Sequence, residues 1–103
     1  MAKEEKLYSE IGNSINGTEE SQMFGKPCFK VGGKAFICFF QNEMVFKLTG
    51  DTHKEAIGLK GASLFDPSGK GRAMKEWVQV PFTHSKKWET FAKAAFAYVK
   101  KGK

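Results

Sequence analysis

Five consecutive residues, Ser68-Gly69-Lys70-Gly71-Arg72, come closest to a chemical site in this 103-residue chain. Glycine-rich backbone carries amide groups that can turn toward an anion, and two cations stand beside them, so the chemistry would be phosphate binding. The spacing does not support a P-loop. That loop requires G-x-x-x-x-G-K-[ST], and residue 71 is glycine where serine or threonine is needed. The plainer expectation is a connection between two strands.

Cys28 and Cys38 are the second candidate, as a redox pair or as a nucleophile with a resolving thiol. They lack the C-x-x-C spacing, and a cysteine nucleophile needs a base nearby to raise its thiolate fraction. His53 and His84, the only two histidines, fall in separate connections. Two small, soft residues in a sheet is the simpler reading. No two of these four residues have the short ligand spacing of structural zinc. Asp51, Glu55, Asp66 and Glu76 form no pair whose separation the sequence sets, so no acid–base assignment follows. No catalytic set, cofactor or metal is expected.

The third candidate is nucleic-acid binding. Residues 1–25 carry two lysines against five glutamates, whereas residues 26–103 carry fifteen basic against six acidic side chains. Sixteen of the seventeen basic residues are lysine, and Arg72 is the lone arginine. Bidentate recognition of bases or phosphates favours arginine's planar fork. Diffuse attraction to phosphate remains open to lysines, with Lys70, Arg72 and Lys75 as candidate contacts. A solvated lysine-rich surface accounts for the charge more simply. Trp77, Phe36 and Phe40 could stack single-stranded bases, although sheet aromatics serve more often as core or subunit interface.

The elements that must position these residues follow from periodicity. Leu7, Tyr8, Ile11 and Ile15 recur at helical spacing and predict a helix over about 3–15, ended by Asn16-Gly17. Thr18 to Gln22 is expected as a polar connection or a second turn of helix. Strands are predicted at 27–31, 34–40 and 43–48, with turns at Gly32-Gly33 and Gln41-Asn42. A two-residue Gln41-Asn42 turn places Met44, Phe46 and Leu48 on the face of Ala35, Ile37 and Phe39. If Gly32-Gly33-Lys34 is a three-residue loop, Phe29 and Val31 join them, and Cys28 stands directly across from Cys38. The other face then holds Phe36, Phe40 and Val45. Those side chains require a covering segment or an interface.

Thr52 and Glu55 have capping-box spacing, which predicts a short helix from about His53, stopped by Gly58 or Gly61. Ser63 to Phe65 reads as a brief strand, Asp66-Pro67-Ser68-Gly69 as a turn, and Glu76 to Val80 as a strand ended by Pro81. A final helix runs from near Ser85 to about Lys100, with Trp88, Phe91, Ala92, Ala95, Phe96 and Val99 as its apolar stripe. These elements make one two-layer α+β domain: an N-terminal helix, a mostly antiparallel sheet, a short middle helix and a C-terminal helix. No apolar run approaches the ~18 residues of a membrane helix. The N-terminus lacks the apolar stretch of a signal peptide, so a cytoplasmic location with free thiols is expected.

Several of these residues together resemble the TfoX N-terminal-domain family. The resemblance rests on Met23-Phe24-Gly25, Val31-Gly32-Gly33-Lys34-Ala35-Phe36, and Gly61-Ala62 with Phe65. It continues through Gly69-Lys70-Gly71-Arg72-Ala73-Met74 and Trp77-Val78-Gln79-Val80-Pro81, with Trp88 following, and covers about 23–99. It implies a secretion-chaperone-like α+β fold in a bacterial regulatory domain with no enzymatic activity or cofactor. The family's longer competence regulators carry a second domain, so the resemblance implies a single-domain member here. The expected activity is contact with a protein partner, and a homodimer is one form such contact could take. Phe36, Phe40, Val45 and Trp77 are the candidate interface, with nucleic-acid binding as the alternative.

Overall fold

The computed structural model describes residues 3–23, 26–66 and 74–102. The apolar stripe that begins at Leu7 forms α1 (Lys3–Ser14), and four strands follow: β1 (Glu19–Met23), β2 (Lys26–Val31), β3 (Lys34–Phe40) and β4 (Glu43–Lys47). Helix α2 (Gly50–Ile57), strands β5 (Ser63–Phe65) and β6 (Met74–Val80), a 3-10 turn at Phe82–His84 and helix α3 (Ser85–Gly102) complete the chain. The strands form one antiparallel sheet in the order β1-β2-β3-β4-β6-β5. The architecture is α+β, as the periodicity predicts.

Three departures from the sequence expectation carry physical lessons. The segment from Glu19 to Met23 is a strand, paired with β2 from Glu19↔Lys30 to Met23↔Lys26. Helix α2 begins at Gly50 with Thr49 as its N-cap, three residues before the capping-box threonine. The third departure concerns register. Gly32 and Gly33 form a two-residue turn, both at positive φ (59° and 82°), and Val31 pairs with Lys34 rather than Ala35. Positive φ at both positions suits the turn twist that matches paired strands, and glycine adopts it without a Cβ clash. Gln41 and Asn42 make the same kind of turn before β4.

A bulge reconciles that tight turn with an apolar face. Lys30 pairs with Ala35, yet Phe29 pairs with Ile37 and Cys28 with Cys38, so Phe36 is an extra residue in β3. An extra residue bends its strand and re-aims side chains. Here Phe36 joins Ile37 on the helix-covered side, while Ala35 turns to the other. This corrects the expected placement of Phe36: its ring packs edge-on against Phe96 of α3, centroids 5.4 Å apart.

The main core lies between sheet and helices. Phe29, Val31, Phe36, Ile37, Phe39, Met44, Phe46, Leu48, Val78 and Val80 from the sheet side meet Tyr8 and Ile11 of α1, Ala56 of α2, and the Trp88-to-Val99 stripe of α3. Tyr8 packs its ring 5.2 Å from both Phe29 and Phe39. One helical turn later, Gly12 lets α1 approach so closely that an added Cβ would overlap the Phe29 ring.

Gly12→Ala tests this contact, because overpacking a close site costs about 1–3 kcal/mol whereas alanine is the better helix former by about 1 kcal/mol. We expect a net loss of stability and a lower urea midpoint. Unchanged or raised stability would show that α1 does not lie this close to the sheet.

Candidate functional site

The sheet face away from the helices carries its own small core. Cys28, Cys38, Val45, Phe65 and Trp77 form one buried cluster, with Ala35 and Phe40 half-buried against it. Strand β5 contributes the part that sequence periodicity does not predict. Leu64 pairs with Val78, but Phe65 pairs with Met74, so the ladder skips at the end of β5. The Phe65 ring thereby reaches the ring of Phe40 on β3, 5.2 Å away and edge-on, across the two intervening strands. Lys26 Nζ lies 5.2 Å from the centroid of the Phe40 ring.

This arrangement places the four candidate interface residues. Phe36 is buried under α3, and Val45 and Trp77 are buried in the second cluster, Trp77 at 6% exposure. Only Phe40 is partly accessible. The requirement that these side chains be covered is met by the chain's own Phe65 and Phe96. Of the nucleic-acid candidates, Lys75 is exposed on β6, and Lys70 and Arg72 lie outside the described residues.

The thiols face each other across β2 and β3, at 1% and 0% exposure. Burial pushes the Cys38 thiol up to about 12. Burial also raises Cys28, with the Lys30 charge pulling the other way. At neutral pH both sulfurs are therefore protonated and poor nucleophiles. The histidines are engaged elsewhere: His53 Nε2 donates to the Lys75 carbonyl at 2.7 Å, and His84 Nε2 to the Lys60 carbonyl at 2.9 Å. Among the described residues, no group of three or more His, Cys, Asp or Glu could hold a metal ion, and no helix is long and apolar enough to cross a membrane.

Glu76, Glu43 and Glu55 each have a partner of their own. Glu76 accepts a hydrogen bond from the Tyr98 hydroxyl at 2.7 Å and lies 3.9 Å from Lys47 Nζ. That hydrogen bond to Glu76 is the main reason the Tyr98 hydroxyl is held above its ordinary value. Glu43 accepts from Gln79 at 2.7 Å across β4 and β6. Glu55 pairs with Lys87 at 3.4 Å. Lys34, Lys47, Tyr98 and Val99 line a shallow hollow of about 90 Å³ at one end of the sheet.

The outer edge of β1 offers a different kind of site. Strand β1 ends the sheet, and among the described residues no strand pairs with its outer side. Its inner and outer peptide groups can be assigned by counting. Val31 and Lys34 close a two-residue turn and are a hydrogen-bonded pair. Alternation along β2 then turns the peptide groups of Val31 and Phe29 toward β3, and those of Lys30, Cys28 and Lys26 toward β1. Their β1 partners Glu19, Ser21 and Met23 bond inward, which leaves the N–H and C=O groups of Glu20 and Gln22 pointing outward. Glu19, Glu20 and Gln22 are exposed. Sequence reasoning missed this edge because Glu-Glu-Ser-Gln-Met has no apolar alternation. The short gap between Met23 and Lys26, two residues, was the available hairpin signal.

Comparison with known proteins finds no match: no family model fits the chain, and no curated protein or solved structure is significantly similar.

The buried protons give a pH test. Cys38 rises from an ordinary 9.0 to about 12, and burial also raises the Tyr8 hydroxyl, which has no hydrogen-bond partner among the described residues. Folded values above unfolded ones mean that the native chain keeps protons the unfolded chain has released. Stability is then intact below about pH 9 and lost toward about pH 12. Urea midpoints should fall over this window, and Cys38→Ala should flatten part of the fall while Tyr8 sustains the rest. An identical slope in the variant would contradict the burial of Cys38.

Proposed function

We propose that this chain is a non-enzymatic protein-interaction domain of the TfoX N-terminal kind, and that it binds an extended, basic segment of a partner along the outer edge of β1. The observation that carries the reading is the outer edge of β1, which no strand pairs with among the described residues, with the peptide groups of Glu20 and Gln22 turned outward and two exposed glutamates beside them. An added strand takes its affinity from main-chain hydrogen bonds and its selectivity from the side chains along the seam. The excess of carboxylates in residues 1–25 favours a lysine- or arginine-bearing strand. A second copy paired through the same edge would bring two glutamates from each chain onto one short seam, which disfavours it. The residue pattern over 23–99 that resembles the TfoX N-terminal domain supports the non-enzymatic part of the reading, although no family model matches. The engaged histidines and buried, protonated thiols support it independently.

A second reading, nucleic-acid binding, is favoured by the hollow that places Lys34 and Lys47 beside Tyr98. It ranks lower because Glu76 already supplies the anion there, close to Lys47 and bonded to Tyr98.

One titration separates the readings. Isotope-labelled protein is titrated with a peptide of alternating lysine and threonine, and separately with duplex DNA at rising salt. Peptide-induced shifts confined to β1 and β2, and abolished in Gln22→Pro, support edge pairing, since proline at 22 removes an outward N–H and spares the inward bonds. Shifts unaffected by the proline indicate charge attraction alone and overturn the proposal. Self-association through β1 would identify a second copy as the occupant. DNA shifts around Lys34, Lys47 and Lys75 that vanish with salt would favour the second reading.

A further inference from the structure

Cys28 and Cys38 are direct cross-strand partners, on the same face and in the same buried cluster. The alternation derived above makes them a non-hydrogen-bonded pair, the position at which opposed Cα atoms approach to about 4.5 Å. That separation lies within the roughly 4.4–6.8 Å span that a disulfide can bridge. Both are free thiols. Two cysteines without a recognisable motif in the sequence are thus brought into bridging register by the bulge at Phe36.

We propose that Cys28 and Cys38 form a redox-responsive dithiol, oxidised to an intrachain β2–β3 disulfide by exchange with a small-molecule disulfide such as glutathione disulfide. The exchange has two steps. The Cys28 thiol gives its proton to water, and its sulfur attacks one sulfur of glutathione disulfide. The sulfur–sulfur bond breaks, and one glutathione thiolate leaves. Cys38 then loses its proton and attacks the Cys28 sulfur, and the second glutathione thiolate leaves. Two protein thiols are oxidised, one glutathione disulfide is reduced, and the released thiolates recover the two protons.

Cys28 attacks first because β2 lies nearer the edge of the sheet than β3, and because Lys30 stabilises a negative charge on Cys28. Access is gated by the cover. Phe65 and Trp77 belong to the same buried cluster as the thiols, and with both cysteines at 1% exposure or less a reagent the size of glutathione meets Cys28 only when that cluster opens. The finished bridge needs less room than the mixed disulfide, which drives the second step forward. Oxidation ties β2, the strand that carries β1, to the centre of the sheet.

The full-length chain is incubated with glutathione disulfide at neutral pH, quenched with an alkylating agent and weighed intact. The proposal expects a product lighter by two hydrogens, with no lasting glutathione adduct. Cys38→Ser should trap a glutathione adduct on Cys28, and Cys28→Ser should react at least several-fold more slowly. Phe65→Ala, with its fold checked by circular dichroism, should accelerate bridging several-fold. If that variant does not fold, the wild-type chain in urea below its unfolding transition takes its place. Persistent adducts on both cysteines, disulfide-linked dimers, or thiols that stay reduced even with the cover loosened would overturn the proposal. Equal rates with and without the cover would overturn the gating.

Discussion

The rest of the fold depends on one extra residue in β3. A two-residue Gly32-Gly33 turn by itself would set Phe29 opposite Phe36 and Cys28 opposite Ile37, putting Ile37 and Phe39 on the wrong face. The bulge moves the pairing by one, so Phe29 meets Ile37 and Cys28 meets Cys38. Both demands are then met: the turn keeps its favoured geometry, and every large aliphatic or aromatic side chain of β2 and of β4 up to Phe46 shares the helix side except Val45. Phe36, displaced by the bulge, becomes the contact that seats α3 through Phe96.

A sheet with apolar groups on both faces needs two covers, and this chain supplies them unequally. Three helices cover the larger core. The smaller is closed by sheet residues themselves, with Phe65 carried over Phe40 by the skip in the β5–β6 ladder. The closing contact comes from a three-residue strand at the sheet edge. Short edge strands with few neighbours open locally at low free energy. The buried cluster that holds the thiols therefore includes a residue of a short edge strand.

The sequence made the helices and the central strands legible because their side chains repeat at 3.6 or 2 residues. Leu7, Tyr8 and Ile11 in α1 and Trp88, Phe91 and Ala95 in α3 needed no tertiary information. The Cys28–Cys38 opposition was also legible, since the expected three-residue loop and the actual turn plus bulge place those two residues alike. The bulge itself was not. Register reasoning counts residues uniformly, and an inserted residue shows only in the structure. Strand β1 was hidden for a different reason: an edge strand with polar residues outward carries no alternating apolar signal. The Phe36, Phe40, Val45 and Trp77 reading started from apolar groups in need of cover, but periodicity could not reveal that Phe36 lies on the helix side against Phe96, or that Phe65 reaches Phe40.

What the chain leaves open to others is backbone rather than side chain. Among the described residues the buried apolar clusters are closed by the chain's own side chains, and no strand pairs with the outer row of β1 peptide groups. Glutamates at such an edge discourage indiscriminate strand pairing and still admit a basic strand. Residue-resolved amide exchange on the free protein tests this most directly. The account predicts that the Glu20 and Gln22 amides exchange rapidly, that the Ser21 amide between them is protected, and that this alternation does not change with protein concentration. Protection of Glu20 and Gln22 in the free protein would mean that the edge is already occupied, and would contradict it.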